Sequence, residues 1–166
     1  QTEWLLRETR LARTPPAKTE WQVAELEGLE RHIAIETARA LRNQALCYPL
    51  QSKDYVNALI RALEQLDRPG VAIGSDRLAW QARLDRIACL RLLGRAAACR
   101  QAMQAMLDAE PPDWVTLFIE ANRVRLLVSE GDWVAAHAAV RKGRTLHGQA
   151  EQELDLAHLE VYLALW

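Results

Sequence analysis

The sequence predicts an all-α fold, an α-solenoid of stacked antiparallel helix pairs. Residues with high helix propensity, chiefly alanine, leucine, arginine and glutamate, dominate the chain, whereas its 166 residues include only 7 glycines and 6 prolines. Apolar residues recur at intervals of three, four and seven along successive segments, which is the period of one helix face. No segment shows the alternation of apolar and polar residues that is typical of a strand.

Capping residues and prolines divide the chain into predicted helices. A short helix over residues 3–13 ends at Thr14-Pro15-Pro16, because proline cannot continue a helix. Thr19-Glu20-Trp21-Gln22 matches a capping box and begins a long helix that runs to about Cys47. We expect its buried face to consist of Leu26, Leu29, Ile33, Ala40 and Leu41. The later predicted helices are Lys53–Asp67 (capped by Ser52), Asp76–Leu93, Ala96–Ala109, Trp114–Ser129, Trp133–Thr145 (capped by Asp132) and Glu151–Trp166.

Three short stretches of the sequence are alike and suggest a repeat. They are residues 53–58, 94–99 and 131–136, which begin 41 and 37 residues apart. Each begins a helix after a polar or glycine break, and each places a small residue five positions after its first. Helix-turn-helix repeats recur at about 34 residues and tolerate insertions in their loops.

The third stretch carries the best match to a known family. Gly131, Asp132, Trp133 and Ala136 resemble the tetratricopeptide repeat, in which a glycine, an acidic residue and an aromatic residue join two helices and a small residue follows. The resemblance covers roughly residues 38–145. The first stretch matches through Asp54, Tyr55, Ala58 and Pro69, and the middle one through Gly94 and Pro111. The sequence departs from the family pattern at Ala96, Cys99, Ile87 and Val124.

The resemblance implies both an architecture and a function. About three helix pairs would form a right-handed superhelix, flanked by the long N-terminal helix and by a capping C-terminal helix. In this family the first helix of each pair lines a concave groove that binds a peptide or helix of a partner protein. The chain would therefore be a non-catalytic scaffold for protein–protein interaction or assembly.

Composition and motifs argue against other classes of protein. Lysine plus arginine (21) nearly balances aspartate plus glutamate (22), and this net charge of -1 disfavours a nucleic-acid partner, including the RNA partner of some helical repeats. No apolar run approaches the ~18 residues of a membrane span. Neither a nucleophile-elbow motif nor a phosphate-binding loop occurs, so we expect no enzyme activity and no cofactor.

No metal site is expected either. One predicted helix face carries Glu151, Asp155 and His158, but zinc sites usually combine clustered cysteine or histidine ligands, so we interpret this face as solvated. Cys47, Cys89 and Cys99 are interpreted as small apolar side chains, because their spacing fits no disulfide framework.

The predicted partner-binding residues are polar side chains on the first helices of the pairs. In the repeat register Gln81, Arg91, Asn122 and Arg125 face the concave wall, where a guanidinium and an amide can bind a partner's carboxylate. The alternative is that they belong to ordinary solvated helix faces. Trp166 is a further candidate, because it ends an apolar final helix that the sequence leaves uncovered. That helix could also pair with its copy in a homo-oligomer.

A second interpretation is a helical bundle that serves as the regulatory or sensor part of a larger protein. Such a bundle would have a closed core and an internal pocket in place of an open groove. The chain begins at Gln1, and we expect it to be a fragment or processed part of a longer protein. Its composition is that of a soluble protein. The cytoplasm is slightly favoured, and the cell envelope or periplasm is the alternative if a leader was removed.

Overall fold

A computed structural model describes residues 23–146, with side chains from 23 to 141. These residues form six α-helices and no strand, which confirms the all-α class. The helices are α1 (Val23–Ala45), α2 (Lys53–Leu66), α3 (Arg77–Leu92), α4 (Ala96–Asp108), α5 (Asp113–Ser129) and α6 (Trp133–Leu146). The predicted helix at residues 3–13, the Thr19 capping box and the predicted final helix lie outside the described residues. None of the six helices has the length and apolarity needed to cross a membrane.

Three helices begin where a polar side chain accepts a backbone hydrogen bond. The amide of Tyr55 donates to Ser52 Oγ at 3.2 Å, and that of Ala135 donates to Asp132 Oδ1 at 3.0 Å. The amide of Ala79 donates to Asp76 Oδ1 at 2.8 Å. Each cap satisfies an amide that has no partner within the helix, and such a cap stabilises a helix by about 1 kcal/mol. The predicted caps of α2 and α6 are confirmed.

The buried face of α1 differs from the one the sequence predicts. Ile35 is fully buried, whereas Leu29 is 37% exposed and Ala40 is exposed as well. The buried arc includes three alanines, and its members are Leu26, Ile33, Ala34, Ile35, Ala38 and Ala45. The prediction for Leu29 and Ala40 was wrong because spacing along one helix does not show which side its neighbours cover. The small side chains of the buried alanines let a neighbouring helix approach closely.

The structure divides into two compact units, with the division after Cys89 inside α3. In the first unit α1 packs against α2, and the seven-residue connection between them makes the two helices antiparallel. In the second unit α5 packs against α6 and also contacts α4. The contact between α5 and α6 is a buried apolar cluster of Val124, Ala136 and Val140.

A buried carboxylate joins α1 to α3 in the first unit. Asp85 is 8% exposed and accepts hydrogen bonds from Arg39 Nε at 2.7 Å and from Arg42. Arg39 also donates to Glu36 at 2.7 Å. Burial alone would lower the pKa of Arg39, but its contacts with Asp85 and Glu36 outweigh this effect and raise it above the ordinary value. Both oxygens of Asp85 are paired, which is what makes a buried charge tolerable.

The turns after α3 and after α5 have the same geometry. Gly94 and Gly131 adopt φ of 68° and 77°, in the left-handed region that favours glycine. Each glycine amide donates to the carbonyl three residues earlier, at 2.9 and 3.1 Å. The following amide, of Arg95 or Asp132, donates to the carbonyl five residues earlier, at 2.9 and 3.0 Å. Both turns are therefore Schellman motifs, separated by 37 residues.

Burial repeats with the same 37-residue spacing. Seven buried positions of α3 and α4 have counterparts in α5 and α6 that are buried as well. The matched pairs are Trp80 and Leu117, Ala82 and Ile119, Asp85 and Asn122, Ile87 and Val124, Cys89 and Leu126, Cys99 and Ala136, and Met103 and Val140. The repeat and its stacking into a superhelix stay predictions.

Substitution of the turn glycines tests the role of the two Schellman motifs. A Cβ at Gly94 or Gly131 meets no atom within 4 Å, so neither Gly94→Ala nor Gly131→Ala causes a steric clash. Any loss of stability therefore comes from the left-handed backbone conformation that alanine must adopt there. We expect each to lower the free energy of unfolding by roughly 1–2 kcal/mol, measured by urea denaturation. Gly28→Ala is the matched control in a helix interior and should raise stability by up to about 1 kcal/mol. Equal effects of the same sign at all three positions would contradict this assignment.

Because a carboxylate caps α3, we expect the protein to lose stability in acid. The hydrogen bond from Arg31, together with the amide of Ala79, lowers the pKa of Asp76 to about 2. Since this lies below the value of about 3.9 expected in the unfolded chain, the contribution of Asp76 is full above pH 4 and is lost as the pH falls towards 2.

Asp76→Asn keeps an acceptor at the cap but removes the charge, so the variant should be less stable than the wild type at pH 6. The difference should stay below about 1 kcal/mol because the carboxylate is half-exposed. Urea denaturation between pH 2 and 6 measures it. The difference should vanish near pH 2, and one that stays constant over this range would show that the carboxylate charge is not involved.

Candidate partner-binding surface

Helix α5 is the most enclosed helix of the second unit. Eight of its residues are buried, at positions spread around most of the helix, and they are Val115, Leu117, Ile119, Glu120, Ala121, Asn122, Val124 and Leu126. Phe118 nevertheless remains accessible and is 41% exposed. With 3.6 residues per turn, Phe118 lies roughly 120° around the helix from Val124, the residue that packs against α6. We call Trp114, Phe118, Asn122 and Arg125 the α5 face, since they are spaced by four, four and three residues.

Trp114 and Phe118, the first two residues of the α5 face, form an aromatic pair. The rings of Trp114 and Phe118 have centroids 6.2 Å apart and an interplanar angle of 83°, an edge-to-face arrangement. Such pairs stabilise by about 0.5–1.5 kcal/mol beyond the area they bury. Because Trp114 holds the ring of Phe118, little side-chain freedom remains to be lost when another molecule covers it. The pair is thus an apolar contact surface that is ordered in advance.

The two residues of the α5 face that follow the aromatic pair along the helix are polar. Asn122 is buried, and its amide nitrogen donates to the carbonyl of Phe118 at 2.9 Å. Asn122 is therefore bound to its own helix and lies beside Phe118 at the base of the face. Arg125 is half-buried and already has an intramolecular interaction. The face therefore combines an accessible aromatic ring with a positive charge about two turns away.

The remaining predicted site residues lie elsewhere. Gln81 and Arg91 are both half-buried on α3, but Gln81 belongs to the first unit and Arg91 to the second. Burial raises the pKa of the Cys99 thiol, and the positive charge of Arg91 opposes this shift, so Arg91 lies near the first turn of α4. Trp166 lies outside the described residues. The structure therefore brings two of the five predicted residues, Asn122 and Arg125, together on one face.

Sequence reasoning missed Phe118, the most exposed member of the α5 face. It is the single phenylalanine of the chain and follows Trp114 by four residues, a spacing that places two aromatic rings side by side on a helix. The four-residue spacing was visible in the sequence, but Trp114 by itself is typical of a residue that fills a gap between helices. Whether the neighbouring ring is accessible depends on the packing of α4 and α6.

Other reactive side chains in the described part of the chain have structural surroundings. Buried Glu120 pairs with Arg123 of the same helix, at 3.1 Å to one carboxylate oxygen and 3.3 Å to the other. Cys47, Cys89 and Cys99 are free thiols, and the last two are buried. Among the described residues no three histidine, cysteine, aspartate or glutamate side chains are grouped to hold a metal ion.

Neither protein-family models nor curated proteins nor solved structures give a significant match to this chain. The side chains of the described helices are therefore the observations that bear on its function.

Proposed function

We propose that this chain is a non-catalytic scaffold of stacked helix pairs, similar to tetratricopeptide repeats, that binds a peptide or helix of a partner protein. The observation that supports this most is the α5 face: Phe118 is an accessible aromatic ring in contact with Trp114, on a helix that buries eight of its residues. Aromatic and arginine side chains dominate the energetics of protein interfaces, and both occur on this face.

The mechanism of binding is surface complementarity. An aliphatic or aromatic side chain of the partner packs on Phe118 and Trp114, and full burial of one such side chain stabilises a complex by about 1.5–3 kcal/mol. A carboxylate of the partner accepts hydrogen bonds from Arg125, which orients the bound segment. The side chain of Asn122 is bonded to the backbone carbonyl of Phe118 in the same helix. Gln81, Arg91 and Trp166 stay predicted partner-binding residues.

One observation favours the second candidate, a regulatory or sensor part of a larger protein. The first unit contains a pocket of about 650 Å³ between α1 and the loop that follows α2. Ligand sites are typically concave and of this size, and a sensor requires such a site. The two functions use different units and are compatible.

Selection from a displayed library of random 12-residue peptides tests the scaffold function directly. We expect the wild type to enrich peptides that combine an aliphatic or aromatic residue with an acidic residue. Phe118→Ser should weaken the enriched peptides at least tenfold, measured by fluorescence anisotropy. Val134→Ser is the matched control, because Val134 is 84% exposed on α6 and lies outside the α5 face.

Circular dichroism and thermal unfolding first establish that both variants fold like the wild type. Equal loss of binding in the two variants would indicate nonspecific adhesion to exposed apolar side chains. Enriched peptides that bind Phe118→Ser as tightly as the wild type would exclude the α5 face, and failure to enrich any peptide would argue against a peptide-binding scaffold.

A further inference from the structure

A pocket lies beside α1 in the first unit. It lies between the first half of α1 and residues 68–73, and its volume is about 650 Å³. Ala24 and Gly28 form part of its α1 wall, and Val71 lies on the opposite side. This volume suits a small molecule with a short apolar part.

Gly28 keeps the α1 wall open. It lies in the interior of a helix, where glycine is about 1 kcal/mol less favourable than alanine. A Cβ added at Gly28 meets nothing within 4 Å, so the packing of the described residues does not explain the glycine. The absence of a side chain at this position leaves room inside the pocket.

Arg68 gives the pocket a positive charge. The residue is half-buried, and its side chain has no hydrogen bond or ion pair among the described residues, in contrast to Arg31 in the same pocket, which binds Asp76 through both terminal nitrogens at 2.8 and 2.9 Å. A bound carboxylate would pair the guanidinium of Arg68 in the two-pronged geometry that arginine favours.

The α1 wall carries the opposite charge. Glu27 and Glu30 both line the pocket. Each already takes part in other interactions of the chain, so Arg68 supplies the specific contact and the two glutamates set the charge preference. They disfavour a ligand with several negative charges and favour one that also carries a positive group.

We propose that this pocket binds a small zwitterion of the amino-acid or dipeptide class. The ligand's carboxylate pairs with Arg68, its ammonium group faces Glu27 and Glu30, and its side chain lies against Ala24, Gly28 and Val71. This site lies in the first unit and shares no residue with the α5 face, so it stands or falls independently of the scaffold function.

Binding of free amino acids to the full chain tests this inference. The twenty common amino acids and glycylglycine are screened one at a time by ligand-observed NMR, and the strongest is titrated by calorimetry. We expect at least one to bind with a dissociation constant below 10 mM. Removing one charge of that amino acid, as its N-acetyl derivative or as its amide, should weaken binding at least tenfold in each case.

Three variants locate the site. Arg68→Gln should weaken binding of the same amino acid at least tenfold, and Gly28→Leu should abolish it by filling the pocket. Arg61→Gln is the matched control, because Arg61 lies on α2, is exposed and is outside the pocket, so affinity should not change. No binding by any of these ligands, unchanged affinity in Arg68→Gln, or equal affinity for the N-acetyl derivative would overturn the proposal. Peptide selection on the α5 face is unaffected by any of these outcomes.

Discussion

The packing of α6 on α5 through Val124, Ala136 and Val140 is the contact on which the second unit depends. A single helix pair cannot bury all its apolar sides, so each helix needs further neighbours. Because Ala136 is small and fully buried, the two helices approach closely at this point. With α4 also in contact, eight residues of α5 are buried, whereas the ring of Phe118 stays accessible. The exposed ring on this packed helix is therefore the candidate binding surface.

Asp85 of α3 and Asn122 of α5 are buried polar side chains that are paired in different ways. Asp85 and Asn122 are 37 residues apart and both are buried. Two arginines of α1 neutralise Asp85, whereas Asn122 donates to the carbonyl of Phe118 in its own helix. Buried polar groups in proteins are almost always hydrogen-bonded, and each residue meets this requirement by a local route. Asp85 thus joins α1 to α3, whereas the hydrogen bond of Asn122 stays within α5.

Local features could be predicted from the sequence, and those that depend on distant residues could not. Ser52 and Asp132 cap their helices as predicted, because a cap depends only on residues within one turn. The pairing of Asp85 with Arg39 joins residues 46 positions apart, and no spacing rule indicates it. The pocket at Arg68 and the accessibility of Phe118 likewise depend on how helices meet. The repeat register grouped Asn122 with Arg125, but it could not show that Asn122 is buried and bonded to its own helix.

The position of a bound peptide is the most direct test of a scaffold that acts through the α5 face. Backbone amide shifts of the ¹⁵N-labelled chain would be followed by NMR during titration with the tightest selected peptide. We expect the largest shifts at residues 114–125, with residues 68–73 unaffected. Shifts confined to the first unit, or spread evenly over exposed apolar residues such as Leu50 and Val134, would contradict it.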